Sequence, residues 1–496
     1  MPSSATPSSP PTTTPSGTDA ASAGMGVRLA LIALALMWPA QLLSLSGMLG
    51  GNAQADVAQH FRTTEISWFI LINTLVGTLI IPFAVKAADL FGKRNVMIVI
   101  SVIALVGDLI ASLATNYTML LVGRGIGGFY GAFAALAYAS VRELFPPKQV
   151  GTASGFIGSG LAFVALGGPF LTGWLLDDFG FRGVLWALTI ATAIGLVLLL
   201  TVVPETPHRV PSTRVNWFSG LLLGGGAAAV TYGVGQGSEW GWTDAGTLAF
   251  ILGGFAGTVL YAVVDKKSAH PLFDLTLMSR RAVWSVMVAT ALIAAVVYGT
   301  GVISQLLVLY PAIPGVSDGL GMSATRFAVI GLPSSVLILL VGFATGVALR
   351  RIDARIPLAL GSAMAAAGFL LQWKWHYTET QVMLVGIASA TAIGMIVASV
   401  PTLIIEAVTP EEQATANGLQ HLIQGVATVL ITQLVYVTLD KDSSIVQGTR
   451  FYQDAGYKNA MLLAAGAALL GLLTTVLIPR LRRVEDVDAG QALVKL

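Results

Sequence analysis

Two charged side chains lie deep inside apolar stretches of the sequence, where they could bind and release a proton. Asp108 and Arg124 fall in consecutive stretches joined by a short turn near Asn116. If both stretches are helices, each charge lies roughly 10 Å from the turn, so the two reach a similar depth. Charges inside a membrane are costly and usually mark partners or pathways. We predict that Asp108 exchanges protons under the control of Arg124; the alternative is a permanent structural ion pair.

A second set of polar side chains follows one face of a later apolar stretch. The set recurs at helical spacing and comprises Gln413, Asn417, Gln420, Gln424 and Thr428, with His421 beside it. Side-chain amides facing lipid are costly, so we expect this stripe to face a substrate cavity. Hydrogen bonds between helices are the alternative for the amides, as is a structural role for His421. Further single candidates for the cavity are Gln41, Asn73, Tyr232 and Gln305.

These residues belong to a chain whose composition excludes a soluble protein. Of its 496 residues, 55% are hydrophobic and only 10% are charged, whereas soluble domains carry charge on roughly a quarter of their residues. Stretches without charge recur along the chain, and most exceed the ~20 residues that cross a bilayer as a helix. The sequence therefore predicts an all-α polytopic membrane protein with about fourteen spans, embedded in a lipid bilayer.

The loops between the spans predict the orientation. One set of alternate loops, together with both chain ends, holds most of the 27 Lys and Arg residues. Because positive loops stay in the cytoplasm, we expect both termini there, in a plasma membrane. The net charge of +2 gives no reason to expect nucleic-acid binding, and the absence of cysteine excludes disulfides and thiolate metal sites.

A weak internal repeat predicts the domain boundaries. The short basic loops 85–94 and 346–355 follow spans 2 and 10, which places two extra spans between two six-span halves. The boundaries expected are a disordered tail at 1–26, helix bundles at 27–204 and 266–480, an insert at 205–265 and a tail at 481–496. The first tail is rich in Ser, Thr and Pro and does not resemble a signal peptide.

Glycines surround Arg124 in a pattern that formally matches a nucleotide-binding loop. The pattern runs from Gly123 to Gly128, but it lies in an apolar helix without a preceding strand, so we reject that reading. Gly123, Gly127 and Gly131, spaced by four, instead predict close approach of a neighbouring helix. The sequence contains no phosphate-binding loop of the G-x-x-x-x-G-K-[ST] type and no H-E-x-x-H motif. We expect neither enzymatic activity nor a cofactor or metal.

Three segments resemble the major facilitator superfamily. Loop 85–94 is similar to the signature G-x-x-x-D-x-x-G-[RK]-[RK]; the matching residues are Asp89, Gly92, Lys93 and Arg94, and Val85 replaces the first glycine. Span 4 is similar to R-x-x-Q-G, with Gly127 in place of glutamine. Span 5 is similar to the G-P-x-x-G-G signature of exporters; the matching residues are Gly168, Pro169 and Gly173, and Thr172 replaces one glycine.

Two further segments resemble one branch of that superfamily. Trp240–Trp242 and Pro271–Leu275 are similar to segments around the extra spans of fourteen-span drug:proton antiporters of the EmrB/QacA type. The resemblance implies two six-helix bundles that rock against each other, with a cytoplasmic latch in which Asp89 pairs with Lys93, Arg94 or Arg142. The alternative is that these charges only anchor the loop in the cytoplasm and cap a helix. The chain departs from the branch in two places: region 29–55 of span 1 contains no aspartate, and Arg350 replaces the aspartate of the second basic loop.

The residues and the resemblance together predict proton-coupled export of amphiphilic small molecules by alternating access. We expect the protein to act as a monomer. A substrate-specific uptake symporter of the same fold is the first alternative. The second alternative is a receptor or assembly subunit that transports nothing, but the buried charges Asp108 and Arg124 argue against it.

Overall fold

The computed structural model describes residues 26–206, 216–237, 240–268, 275–349, 351–409 and 412–479. Within these ranges, thirteen helices are long and apolar enough to cross a bilayer. One of them, Thr152–Thr201, contains two spans that meet at Gly180. The predicted fold class, an all-α membrane protein with about fourteen spans, is confirmed. Both predicted tails beyond Gly26 and Pro479, Arg350 and the segment 271–274 lie outside the described residues.

The spans run in chain order with short connections. They comprise span 1 (Val27–Phe61), span 2 (Ser67–Phe91), span 3 (Lys93–Ser112), span 4 (Tyr117–Leu144), spans 5 and 6 within Pro147–Thr201, span 7 (Trp217–Gln236), span 8 (Ala245–Lys267), span 9 (Arg281–Leu309), span 10 (Ala324–Ala348), span 11 (Arg355–Lys374), span 12 (Glu379–Ala407), span 13 (Gln413–Asp440) and span 14 (Asp454–Thr475). We call the end of the bundle that contains Phe61 the outer end and the opposite one the inner end.

Local backbone chemistry interrupts several spans. Span 1 breaks at Gln41, two residues after Pro39, and proline removes a backbone donor from a helix. Span 4 tightens into a 3-10 turn at Gly128–Ala132. Spans 5 and 6 join at Gly180, whose φ of 63° lies in a region that glycine adopts far more readily than other residues.

Two short hairpins close the outer end. The first pairs β1 (Ala312–Ile313) with β2 (Ser317–Asp318), and the second pairs β3 (Ser443–Val446) with β4 (Thr449–Tyr452). Both hairpins are antiparallel. The second hairpin reaches across to the first half, where the Thr449 hydroxyl donates a hydrogen bond to the backbone carbonyl of Ala58.

The apolar core has different shapes at the two ends. At the outer end one cluster unites the halves, with Leu49 and Leu185 from the first half and Leu306 and Tyr436 from the second. At the inner end two separate clusters form, one around Leu36 in the first half and one around Val286 in the second. The halves are therefore packed together at the outer end and have separate cores at the inner end.

Spans 7 and 8 pack together beside the junction of the two halves. Span 7 contacts span 2 of the first half and span 13 of the second. A small cluster that includes Leu75, Ala227 and Val429 fills this contact. At Gly220, an added Cβ would lie 1.7 Å from the ring of Phe83, so the absence of a side chain permits this approach.

Candidate functional site

Glycines bring spans 2, 3 and 4 close enough to enclose polar groups. At Gly123, an added Cβ would lie 2.4 Å from the backbone nitrogen of Ala111 on span 3. At Gly131, an added Cβ would lie 1.8 Å from the carbonyl oxygen of Gly77 on span 2. The predicted close helix approach is therefore present, but the 3-10 turn between them directs Gly123 and Gly131 at different neighbours.

Asp108 is buried and hydrogen-bonded on span 3. Its Oδ2 accepts a hydrogen bond from the hydroxyl of Tyr130 on span 4 and another, of 2.7 Å, from the hydroxyl of Thr192 on span 6. The side chain is 4% exposed, so lipid and bulk water are both largely excluded from it. The two hydroxyls can donate to the carboxylate, and one of them can accept a hydrogen bond from the acid when the carboxyl is protonated.

Arg124 is buried among different partners. Its Nη1 donates a 2.9 Å hydrogen bond to the Ser46 hydroxyl on span 1, and its guanidinium lies over the Phe69 ring at 4.9 Å from the centroid. Asn73 completes the group, because its Nδ2 donates to the carbonyl oxygen of Arg124 over 3.0 Å. Nη2 has no hydrogen-bond partner within the described residues. Nη2 can therefore donate to a further acceptor if one comes within reach.

The two charged groups are neighbours without a direct ion pair. Among the described residues, no Asp108 oxygen lies within 4.0 Å of an Arg124 nitrogen. Gly127 is the junction of the two groups: an added Cβ there would lie 3.1 Å from Asp108 Oδ1 and 3.7 Å from Asn73 Nδ2. The structure thus places the two predicted charges at one site but does not join them as a salt bridge.

The inner loop between spans 2 and 3 makes contacts that the sequence did not predict. Lys93 forms an ion pair with Glu143 of span 4. The guanidinium of Arg94 donates to the carbonyl oxygens of Leu199 and Leu200, over 3.2 and 2.8 Å, at the end of span 6. A cation at the carboxyl end of a helix is favoured by the helix dipole.

The other two latch candidates lie nearby with fewer contacts. Asp89 is half-buried and makes no hydrogen bond to any residue that the structure describes. Arg142 is exposed. The predicted pairing of Asp89 with Lys93, Arg94 or Arg142 is therefore not formed in this conformation; Glu143 pairs with Lys93 instead.

The single cavity candidates serve different contacts. Gln41 Nε2 donates to the carbonyl oxygen of Ile157 on span 5, over 3.0 Å, at the break in span 1. Gln305 accepts a 3.3 Å hydrogen bond from Gln54, which links spans 1 and 9 across the two halves. Tyr232 of span 7 packs against Trp68 of span 2 and Phe250 of span 8, with ring centroids 6.0 and 4.9 Å away, in an aromatic cluster between the inserted spans and the first half.

The polar stripe of span 13 does not share one environment. Gln420 is 1% exposed, and both of its amide atoms have no hydrogen-bond partner within the described residues. Asn417 and Gln424 are half-buried, whereas His421 is exposed on the span. An unsatisfied buried amide is costly, so Gln420 is the member of the stripe with most to gain from a polar ligand.

The glycines of span 5 are packing positions. At Gly168, an added Cβ would lie 2.5 Å from the sulfur of Met48 on span 1. Next to Gly168, Pro169 lies inside the helix, and Thr172 donates a 2.7 Å hydrogen bond to the carbonyl oxygen of Gly168. Gly173 lies against Thr325 at the start of span 10, where an added Cβ would lie 2.7 Å from Thr325 Cα.

Several site residues are not marked by any sequence motif. Tyr130 and Thr192 carry no motif, and both reach Asp108 only because three helices meet there. Ser46 is one of many serines in apolar segments. Glu143 had a usable signal, since an acidic residue beside Arg142 interrupts an otherwise positive loop. The described residues contain no group of three His, Cys, Asp or Glu side chains that could hold a metal.

Comparison with known proteins identifies relatives among multidrug transporters. "Multidrug resistance protein Stp" of Mycobacterium tuberculosis is 25% identical over 397 residues, which cover 78% of this chain and 72% of that protein. "Multidrug transporter protein MdtP" of Bacillus subtilis is 21% identical over 359 residues, which cover 71% and 64%. This chain is similar to both over most of its length.

Solved structures share the fold at low sequence identity. The crystal structure of a D-xylose-proton symporter matches with a TM-score of 0.63 and 14% identity, over 91% of this chain and 98% of that one. A POT family transporter in complex with a thioalcohol-conjugated peptide matches with a TM-score of 0.63 and 16% identity, over 89% and 94%. A sequence profile of the Major Facilitator Superfamily matches residues 21–432. Because that profile spans most of the chain, this protein belongs to the major facilitator superfamily of membrane transporters.

Proposed function

We propose that this transporter exports amphiphilic small molecules in exchange for protons by alternating access. The buried site around Asp108 carries the proposal. A carboxyl with two hydroxyl donors, Tyr130 and Thr192, can hold either protonation state. The nearby Arg124 group would favour the charged state whenever it approaches, so movement of the helices would drive proton release.

The separate inner cores support an inward-facing resting state. In that state the region between the halves would be open to the inner end, where substrate and the inner face of the bilayer are accessible. Gln420, Asn417 and Gln424 would contribute polar contacts to a mainly apolar cavity, which suits an amphiphilic ligand. Two similar proteins are named for multidrug resistance or multidrug transport, which agrees with export of such compounds.

The inner loop would take part in the opposite state. Asp89 lies beside Lys86, Lys93 and Glu143 at the end of span 2. We propose that closure of the inner end recruits Asp89, with Arg94 holding span 3 to span 6 throughout. Arg142 would supply surface charge on the same side. The two inserted spans would cover the junction of spans 2 and 13 without joining either bundle.

Reconstitution of the purified protein tests the proposal. When a pH difference is imposed across proteoliposomes, a fluorescent amphiphilic cation should move in the direction opposite to the proton flux, without ATP. Transport that ignores the pH difference would contradict the proton-coupled proposal. Uptake in the same direction as the proton flux would favour the symporter alternative, which shares its fold with the D-xylose-proton symporter.

Labelling tests the proposed sidedness. Both termini would lie in the cytoplasm, with a monomeric protein in the plasma membrane. The chain has no native cysteine, so single introduced cysteines report cleanly. A cysteine at Ser268, at the inner end of span 8, should react only with reagent that reaches the cytoplasm; Ser212 should behave likewise, although it lies outside the described residues. Labelling of Ser268 from outside would reverse the topology.

A further inference from the structure

A six-residue sequence pattern occurs once at each end of the first half. Residues 89–94 read Asp-Leu-Phe-Gly-Lys-Arg, and residues 177–182 read Asp-Asp-Phe-Gly-Phe-Arg, so both follow D-x-F-G-x-R. The first joins spans 2 and 3 at the inner end, whereas the second joins spans 5 and 6 at the outer end. Three-span units related by inverted topology would place one loop at each end in this way.

The two loops also share their backbone geometry. Gly92 has a φ of 90° and Gly180 a φ of 63°, so both turns use the left-handed region that favours glycine. In each loop the preceding phenylalanine is exposed, with Phe91 at 62% and Phe179 at 59%. The sequence pattern is therefore matched by a common turn.

The arginines of the two loops make reciprocal contacts. Arg94, at the start of span 3, donates to carbonyl oxygens at the end of span 6. Arg182, at the start of span 6, donates to the carbonyl oxygens of Ser112 and Ala114, over 3.2 and 3.1 Å, at the end of span 3. Each arginine thus caps the helix that the other one begins.

The aspartate of the outer loop crosses to the other half of the protein. Asp177 Oδ1 accepts a 3.1 Å hydrogen bond from the backbone nitrogen of Ala324, and Oδ2 accepts a 3.0 Å hydrogen bond from that of Thr325. These are the first residues of span 10. A carboxylate at the amino end of a helix satisfies backbone donors and is favoured by the dipole. Gly173, one turn earlier, permits the close approach of the two helices.

We propose that residues 177–182 form an outer latch, in which Asp177 holds the outer end shut by binding the start of span 10. Opening to the outside separates the halves at this end, so Asp177 must release Ala324 and Thr325 in every transport cycle. Gly180 and Arg182 position the aspartate by fixing the turn and anchoring it to span 3. This inference rests on the alternating access proposed above, and Asp177 is a positioning residue that contacts no substrate.

Distances between spin labels test the outer latch directly. The absence of native cysteine allows one pair at Thr115 and Thr380, exposed at the outer end of opposite halves, and a second at Asn95 and Ile356, exposed at the inner end. In nanodiscs, Asp177→Asn should raise the outward-open fraction about threefold, because the amide keeps one accepting oxygen but loses the charge and the second acceptor at an exposed site. The outer distance should lengthen and the inner distance should shorten.

The neighbouring aspartate provides the matched control. Asp178 is exposed and hydrogen-bonds to no described residue, so Asp178→Asn should leave both distance distributions unchanged. Unchanged distances in Asp177→Asn, or an equal shift in Asp178→Asn, would overturn the outer latch. If Asp177→Asn does not fold, Gly173→Ala serves instead, because its Cβ would press on the backbone of Thr325 and should open the same end.

The distances remain informative if the proposed function fails. A shift in Asp177→Asn without any proton-driven transport by the parent protein would support the outer latch and reject only the proposed coupling. Conversely, proton-driven transport by the parent protein with no shift in Asp177→Asn would reject the outer latch and leave the coupling intact. The two proposals are therefore tested separately.

Discussion

Spans 3 and 4 of the first half and spans 11 and 12 of the second enclose different interiors, although spans 4 and 12 begin with similar helix caps. Asn116 caps the start of span 4, and Thr378 caps the start of span 12 in the same way. At the inner end, Arg94 donates to carbonyl oxygens at the end of span 6, and Arg355 donates to the carbonyl oxygen of Ile478 just after span 14, over 3.0 Å. The two halves therefore use the same kinds of contact at the ends of corresponding helices.

The interiors differ in polarity. In the first half, span 3 carries the buried Asp108 with its hydroxyl partners. In the second half, the corresponding helices meet in an apolar cluster of alanines, such as Ala365 and Ala392, with Phe369 packed against it. Under the proposed mechanism, the first half would perform the proton chemistry, and the second half would provide a partner surface that opens and closes.

Replacing Asp108 should reduce pH-driven transport more than any other substitution considered for either half. Asp108→Asn removes the one buried carboxyl that the structure describes in the first half, so pH-driven transport should fall about 100-fold or more, as for loss of a proton-transfer group. Exchange of substrate across the membrane without a gradient should survive, because the fold is retained. Transport assays in proteoliposomes measure both, and undiminished pH-driven transport would remove Asp108 from the proposal.

A charge swap sharpens the same point. If Asp108 and Arg124 formed a structural ion pair, the double substitution Asp108→Arg with Arg124→Asp would restore it with the charges exchanged. The wild-type side chains form no such pair within 4.0 Å. Each substituted residue would instead face the wrong partners, with an arginine beside the hydroxyls of Tyr130 and Thr192. We expect the swap to transport no better than Asp108→Asn. Recovery of transport in the swap would favour the structural ion pair.

The hydroxyl partners of Asp108 should matter less than the carboxyl itself. Tyr130→Phe and Thr192→Val each remove one donor and keep most of the packing, so each should slow pH-driven transport about tenfold. Ser362→Ala is the matched control in the second half, because its hydroxyl donates to the carbonyl oxygen of Ala468 between spans 11 and 14. An equal loss in Ser362→Ala would mean that general packing, and not proton exchange, limits transport.

The fold was predictable because the membrane imposes it. Long stretches without charge predicted the spans, and the resemblance predicted the two bundles with inserted helices. The depths of Asp108 and Arg124 followed from counting residues along two helices. Their partners did not, because Tyr130 reaches Asp108 through the 3-10 turn at Gly128–Ala132, which changes the direction of span 4 without an obvious sequence signal.

The polar contacts of the inner loop were harder to predict for a different reason. Charges on a loop have several partners within reach, and helix packing selects among them. Lys93 pairs with Glu143 in this conformation, although Asp89 is closer in sequence. The role of residues 177–182 was not predicted, because their similarity to residues 89–94 is short and the two segments lie at opposite ends of the bundle.

The similar arginine contacts at the helix ends predict similar effects on stability in both halves. Arg94→Ala removes two hydrogen bonds to carbonyl oxygens at the end of span 6, and Arg355→Ala removes one to Ile478 together with the ion pair to Asp353, so each should cost about 1–3 kcal/mol. Thermal unfolding in detergent should show a lower midpoint for both variants, with Arg28→Ala, an exposed residue, as the control. A large effect in only one half would show that the arginine contacts of the two halves contribute unequally to the free energy of unfolding.

Two ion pairs at the inner end should contribute unequally to stability. The exposed pair of the second half should have the smallest effect of all. Glu143→Gln leaves the buried Lys93, which is 7% exposed, without its partner, and should cost about 2 kcal/mol. Glu412 lies outside the spans, where hydrogen bonds from Arg280, over 2.8 Å, hold the pKa of its carboxyl below the usual value. An exposed pair of this kind contributes little to stability.

The sign of the pH effect follows from the lowered pKa of Glu412. The pair stabilises the folded state above the unfolded pKa of about 4.3, and the contribution disappears as the pH falls through the folded value. Glu412→Gln should therefore move the unfolding midpoint by less than about 1 °C at pH 7 and by nothing measurable near pH 3. A shift as large as that of Glu143→Gln would show that Arg280 and Glu412 fasten span 13 to the segment before span 9, and that the second half has an inner contact as strong as that of the first.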